Sequence, residues 1–207
     1  MRQGSWARLA AALGFAFLAA GPCSAAQPSA KAAWTQSGGP AKPPAGYLSF
    51  CRTTPDQCLQ LGSPEPETMT AARWRQLVEV NTLANLVITP MSDEENYHLA
   101  EVWALPKTAG DCEDYALLKR KWLIDRGWPT GALLLSVVFD EVGEGHAVLV
   151  ARTSGGDFVL DNKTEELRRW TDAPYRFVKR QSVADPNRWV MIGPASAADP
   201  ATASRRH

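Results

Sequence analysis

The chain has 207 residues, with 22 Lys and Arg balancing 22 Asp and Glu. That balance excludes binding to nucleic acid, or to an acidic membrane surface, through net charge. The length suits one domain with one core, and there is no internal repeat.

Residues 1–26 combine Arg2 and Arg8, an apolar run from Leu9 to Ala20, and the small residues Ser24, Ala25 and Ala26. This is the pattern of a secretory signal peptide cleaved near Ala26, too short for a membrane span. Pro22 before Cys23 argues against a lipoprotein. No later stretch is apolar enough to cross a bilayer, so the expected location is periplasmic or secreted. Residues 27–46 are rich in Ala, Pro, Gly, Ser and Lys and predict a flexible linker. The folded domain is then expected over 47–194, followed by a disordered tail over 195–207.

Cys51 and Cys58 flank the turn-forming Thr53-Thr54-Pro55-Asp56 and make the natural disulfide in an oxidising compartment. Cys112 is left as a free thiol. The alternatives are an inert buried Cys112, or a Cys51–Cys112 pair with Cys58 free.

Apolar residues at helical spacing, Trp74, Leu77, Val78, Leu83, Leu86 and Val87, predict an amphipathic helix from Thr68 to about Val87, ended by Pro90. Asp93 to Trp103 predicts a shorter helix or turn. After the loop Thr108-Ala109-Gly110, Asp111 is a good N-cap and Asp114 a capping-box-like acid, and Gly127 suits the C-terminus of that helix. Cys112 then takes the first helical position, where the helix dipole and unpaired N–H groups favour a thiolate and could hold an oxyanion.

Ala132 to Phe139 reads as a central strand. His146–Arg152 and Asp157–Asp161 read as two more, joined by Thr153-Ser154-Gly155-Gly156. Tyr175–Lys179 and Trp189–Ile192 complete an antiparallel sheet under the cysteine helix, an α+β layer fold. In that hairpin His146 comes within a few residues of facing Asp161. Cys112, His146 and Asp161 are thereby in place as nucleophile, base and orienting acid.

Asp111, Glu113 and Asp114 would repel a neighbouring thiolate. A bound cation removes that penalty, and hard oxygen ligands suit calcium better than zinc. The alternative is that Asp111 and Asp114 only cap the helix while Glu113 is solvated. Trp103 either lines the substrate cleft or packs in the core.

The segments GDCEDYALLKRKWL (110–123), GHAVLV (145–150) and FVLDN (158–162) resemble the bacterial transglutaminase-like cysteine peptidase family, which includes periplasmic proteases that process biofilm adhesins. FCRTTPDQC (50–58) and VNTLANLVITP (80–90) fit the same family. The resemblance implies a papain-like transglutaminase core, with Cys112 as nucleophile, His146 as base and Asp161 as orienting acid. It implies calcium held by Asp111 and Glu113, with Asp114 a less certain ligand. The expected activity is cleavage of a peptide bond in a protein substrate. A cell-surface adhesin is the substrate class, and a membrane receptor the regulator, that the resemblance brings. Transamidation, amide hydrolysis on peptidoglycan stems and a non-catalytic calcium-dependent binding module are the rival readings.

Overall fold

The computed structural model describes residues 33–193 together with Met1. In chain order it contains β1 (Ser37–Ala41), α1 (Ala45–Thr53), α2 (Ala71–Val87), β2 (Thr89–Pro90), α3 (Asp93–Tyr97), β3 (Ala109–Gly110) and α4 (Cys112–Asp125). Six strands follow, β4 (Leu133–Phe139), β5 (Gly145–Thr153), β6 (Gly156–Leu160), β7 (Arg168–Arg169), β8 (Arg176–Gln181) and β9 (Trp189–Ile192). The predicted signal peptide and tail lie outside the described residues.

Seven strands form one sheet in the order β1-β9-β8-β4-β5-β6-β7, antiparallel at every pairing. β4 is apolar at nearly every position because both of its faces are covered. On one side Leu133, Leu135, Val137, Ala147, Leu149 and Leu160 pack with Leu117 and Leu123 of α4. On the other, Leu134, Val138, Val148, Val150, Val159 and Phe177 form a second cluster. A strand buried on both faces loses the alternation that a half-exposed strand keeps. This is the expected α+β arrangement, a helix layer on an antiparallel sheet.

The expected linker does not run to residue 46. β1 pairs with the last strand, β9, with Pro40 opposite Val190 and Ala41 opposite Trp189. Just before it, Thr35 is buried, donating its N–H and hydroxyl to Asp157, each at 2.7 Å. The segment Ser-Gly-Gly-Pro-Ala contributes backbone hydrogen bonds and almost no apolar surface, so its strand leaves no hydrophobic period to read.

The helix predicted from Thr68 begins at Ala71, with the Thr70 hydroxyl accepting the Arg73 N–H at 3.1 Å. Its buried face is Leu77, Val80, Asn81 and Ala84, whereas Trp74, Val78, Leu83, Leu86 and Val87 are exposed. Two asparagines, Asn81 and Asn85, turn that inner side towards the end of β6. The shorter helix spans only α3, ended by His98 in the left-handed region at φ 56°. Cys51 and Cys58 are disulfide-bonded with Cα atoms 5.8 Å apart, and Cys112 is free and buried.

Candidate active site

Gly110 sets the entry into α4. A Cβ at this position would lie 2.5 Å from Asp114 Oδ2 and 2.7 Å from Asp114 Cβ, so only glycine admits the acid beneath the turn. Asp114 there accepts the Ala104 N–H at 2.8 Å and bonds back to the Asp111 backbone, the expected capping role. Asp111 holds the N-cap position but makes no side-chain cap hydrogen bond.

Cys112 follows as the first helical residue. Its Sγ donates to Glu113 Oε2 at 3.1 Å and accepts the Ala147 N–H at 3.4 Å. Burial pushes the thiol well above its ordinary pKa, and the Glu113 and Asp111 charges push the same way. Position at a helix N-terminus is therefore not enough to make a thiolate here; burial and the neighbouring acids outweigh it.

Those acids form a cluster. One oxygen each from Asp93, Asp111 and Glu113 lies within 4.8 Å of the others, and all three residues are buried. Burial raises Asp93 to about 7, against the opposing Val102 N–H. Burial and the Asp111 charge raise Glu113 well above the carboxylate range. Glu113 Oε1 and Asp93 Oδ1 are buried with no hydrogen-bond partner. Buried oxygens without donors, on carboxylates that repel one another, fit a hard divalent cation such as calcium. The expected ligand set was Asp111, Glu113 and Asp114. The carboxylate oxygens that come together are those of Asp93, Asp111 and Glu113, while Asp114 Oδ1 accepts the Ala104 N–H.

The residue before Ala147, whose N–H meets the sulfur, is His146. His146 Nε2 lies 2.9 Å from Asp161 Oδ1, with both side chains buried. An ionised carboxylate only accepts, so Nε2 carries the proton and Nδ1 is the acceptor. Asp161 stands one residue beyond β6, whose register pairs Leu160 with Leu149. Its N–H donates to Asn81 Oδ1 at 3.1 Å, and Asn85 Nδ2 donates to its carbonyl at 2.9 Å. Burial alone would raise the Asp161 pKa. The His146 hydrogen bond and charge, the Tyr175 hydroxyl and the Lys163 N–H reverse that and bring it to about 2.

Tyr175 is the residue that periodicity did not single out. Its hydroxyl donates to Asp161 Oδ2, and its ring meets the His146 ring edge-on, centroids 5.5 Å apart. Trp103 belongs to the core, T-shaped to Tyr47 and Trp189, with its Nε1–H donated to Glu101 at 3.2 Å.

Residues 37–197 match the sequence profile of the bacterial transglutaminase-like cysteine proteinase family, BTLCP. The chain belongs to this family. It is thus a transglutaminase-like cysteine peptidase, acting on protein. This BTLCP chain is similar in fold to LapG of Legionella pneumophila in its calcium-bound form, at 19% identity and a TM-score of 0.50, over 65% of this chain and 78% of LapG. The EGTA-treated form of the same protein aligns at 17% identity and a TM-score of 0.49, over 63% and 72%. No curated protein sequence matches the chain. Among the described residues, no helix is long and apolar enough to cross a membrane.

Proposed function

We propose that this peptidase cleaves a peptide bond of a protein substrate with Cys112 as nucleophile, His146 as general base and acid, and Asp161 as orienting acid. The observation that carries this is the buried His146–Asp161 pair directly beside the amide that touches the Cys112 sulfur.

The sequence of steps follows from the groups present. Cys112 passes its proton to His146 Nδ1 as the sulfur attacks the substrate carbonyl, and the Asp161 carboxylate stabilises the imidazolium. The N–H groups of the first turn of α4 are the natural oxyanion donors. The C–N bond breaks as His146 returns the proton to the amine, leaving a thioester on Cys112. Water, deprotonated by His146, then attacks the thioester. The carboxylic product departs and the thiol recovers its proton.

Asp93, Asp111 and Glu113 are the residues that would hold calcium. Bound there, it would offset the negative charge that keeps the Cys112 proton in place. Export is supported by the leader-like residues 1–26 and by the Cys51–Cys58 disulfide, a bond kept in oxidising compartments. The resemblance to adhesin-processing members supports a cell-surface adhesin as substrate and a membrane receptor as regulator.

The test is labelling of Cys112 by iodoacetamide, followed by mass spectrometry, in wild type and His146→Ala with calcium or with a chelator. Rapid labelling that needs both His146 and calcium is the expected result. Equal labelling in all four samples would overturn the assignment.

A further inference from the structure

Three donors meet the Asp161 carboxylate: the His146 ring, the Lys163 N–H and the Tyr175 hydroxyl. Oδ1 takes His146 Nε2 at 2.9 Å and the Lys163 N–H at 3.1 Å. Among the described residues, Oδ2 takes the Tyr175 hydroxyl. The carboxylate is 2% exposed, so an oxygen without a donor would carry an unmet desolvation cost and turn to share the His146 proton.

Tyr175 is held in place by the sheet rather than by a loose loop. It immediately precedes β8, where Arg176 pairs with Phe139 and Phe177 with Val138. Val138 in turn pairs with His146 on β5. The phenol thus reaches the His–Asp pair across the end of β4, from a backbone fixed by two ladders. Arg176 stacks on Phe139 at 4.1 Å and anchors the same corner. Tyr175 also lines an open depression together with Asp161, Thr164, Glu166 and Arg168.

We propose that Tyr175 is a positioning residue of the peptidase: its hydroxyl fixes which oxygen Asp161 offers to His146, and its ring sets the plane of the imidazole. The proposal rests on His146 and Asp161 being the base and orienting acid. A tyrosine that merely filled the second apolar cluster would be replaceable by phenylalanine at no cost to the base. Here the hydroxyl and the ring have separate tasks, so losing each has a separate effect.

The experiment compares wild type, Tyr175→Phe, Tyr175→Leu and His146→Ala in the calcium-loaded protein. It reads the Cys112 labelling rate with iodoacetamide, the downfield N–H proton resonance of the His146 ring, and the melting temperature. Tyr175→Phe retains the ring contacts and therefore the fold. Its labelling should fall about tenfold or more, the worth of one hydrogen bond to a charged group, and the resonance should move upfield. Tyr175→Leu should fall further, because the imidazole also loses its wall. Labelling of Tyr175→Phe within about twofold of wild type with an unmoved resonance, while His146→Ala is slow, would overturn the positioning role and leave the base intact. Labelling of His146→Ala at the wild-type rate would overturn the base itself, and the role of Tyr175 with it.

Discussion

The Cys112 thiol donates to the carboxylate of Glu113, its neighbour in sequence, at 3.1 Å. The thiol is thereby held protonated by a group that also belongs to the acidic cluster with Asp93 and Asp111. Whatever occupies that cluster changes the acceptor of the reactive proton.

Glu113→Gln should uncouple the thiol from the cluster. In wild type, calcium should speed iodoacetamide labelling of Cys112 over the chelated protein, whereas Glu113→Gln should label at one rate in both. Asp93→Asn should weaken calcium binding about tenfold or more by titration calorimetry, as loss of a ligand charge does. Asp114→Ala should leave that affinity nearly unchanged. It should instead lower the melting temperature, because the Ala104 N–H loses its acceptor at a cost of about 1–3 kcal/mol.

Asp161→Asn should reverse the tautomer of His146 and cost about 10⁴ in turnover, as the equivalent change does in other triads. A stability signature accompanies it. The Asp161 pKa stands at about 2 when folded, below the value of about 3.9 for an unfolded chain. The contribution is therefore present above pH ~4 and lost as the pH falls from ~4 to ~2, on the order of 2 kcal/mol. Denaturant unfolding across that window should show a shallower loss in Asp161→Asn than in wild type.

Lys119 is fully buried on α4, its Nζ 5.7 Å from the Tyr115 ring centroid and, among the described residues, without a hydrogen-bond partner. Burial lowers its pKa to about 7, against the attraction of Asp161. Between about 7 and the unfolded value of about 10.4, the unfolded chain holds more protons, so stability rises with pH across that interval. Lys119→Met should accordingly stabilise the fold at pH 6 by several kcal/mol, with the advantage shrinking towards pH 10. Urea midpoints at pH 6, 8 and 10 measure it.

The Cys51–Cys58 bridge closes a short loop, seven residues apart in sequence. The chain-entropy relation gives about 2–3 kcal/mol for a loop of that size. Reduction with dithiothreitol, or Cys51→Ser with Cys58→Ser, should lower the melting temperature by roughly 5–10 °C. Iodoacetamide labelling at Cys112 should persist in the double variant, because neither bridge cysteine supplies the Glu113 or Ala147 hydrogen bond to the sulfur.

The features legible in the sequence were those with a local signature. α4 announced itself through Gly110, an acidic first turn and Gly127, and β4 to β6 through apolar runs and a Gly-Gly turn, so Cys112, His146 and Asp161 could be placed on their elements. Asp93 and Tyr175 had no such mark. Asp93 reads as one acid in an ordinary capping box opened by Ser92. It reaches Glu113 only because Thr89 and Pro90 pair in parallel with Ala109 and Gly110, a contact between distant segments that no periodicity encodes. Tyr175 looks like the start of a strand until β8 is laid beside β4. The makeup of the acidic cluster and the partner of Asp161 are matters of register, which single residues do not carry.

β1 also has a practical meaning. A shortened protein starting at the first helix, near Tyr47, would leave the backbone of β9 as a bare edge and strip Arg180 and Asp157 of their bonds to Thr35. Bare edges recruit strands from other copies, so such a protein would aggregate instead of yielding soluble enzyme. The smallest preparation worth making begins upstream of Trp34, whose indole is itself bonded to the Thr153 carbonyl.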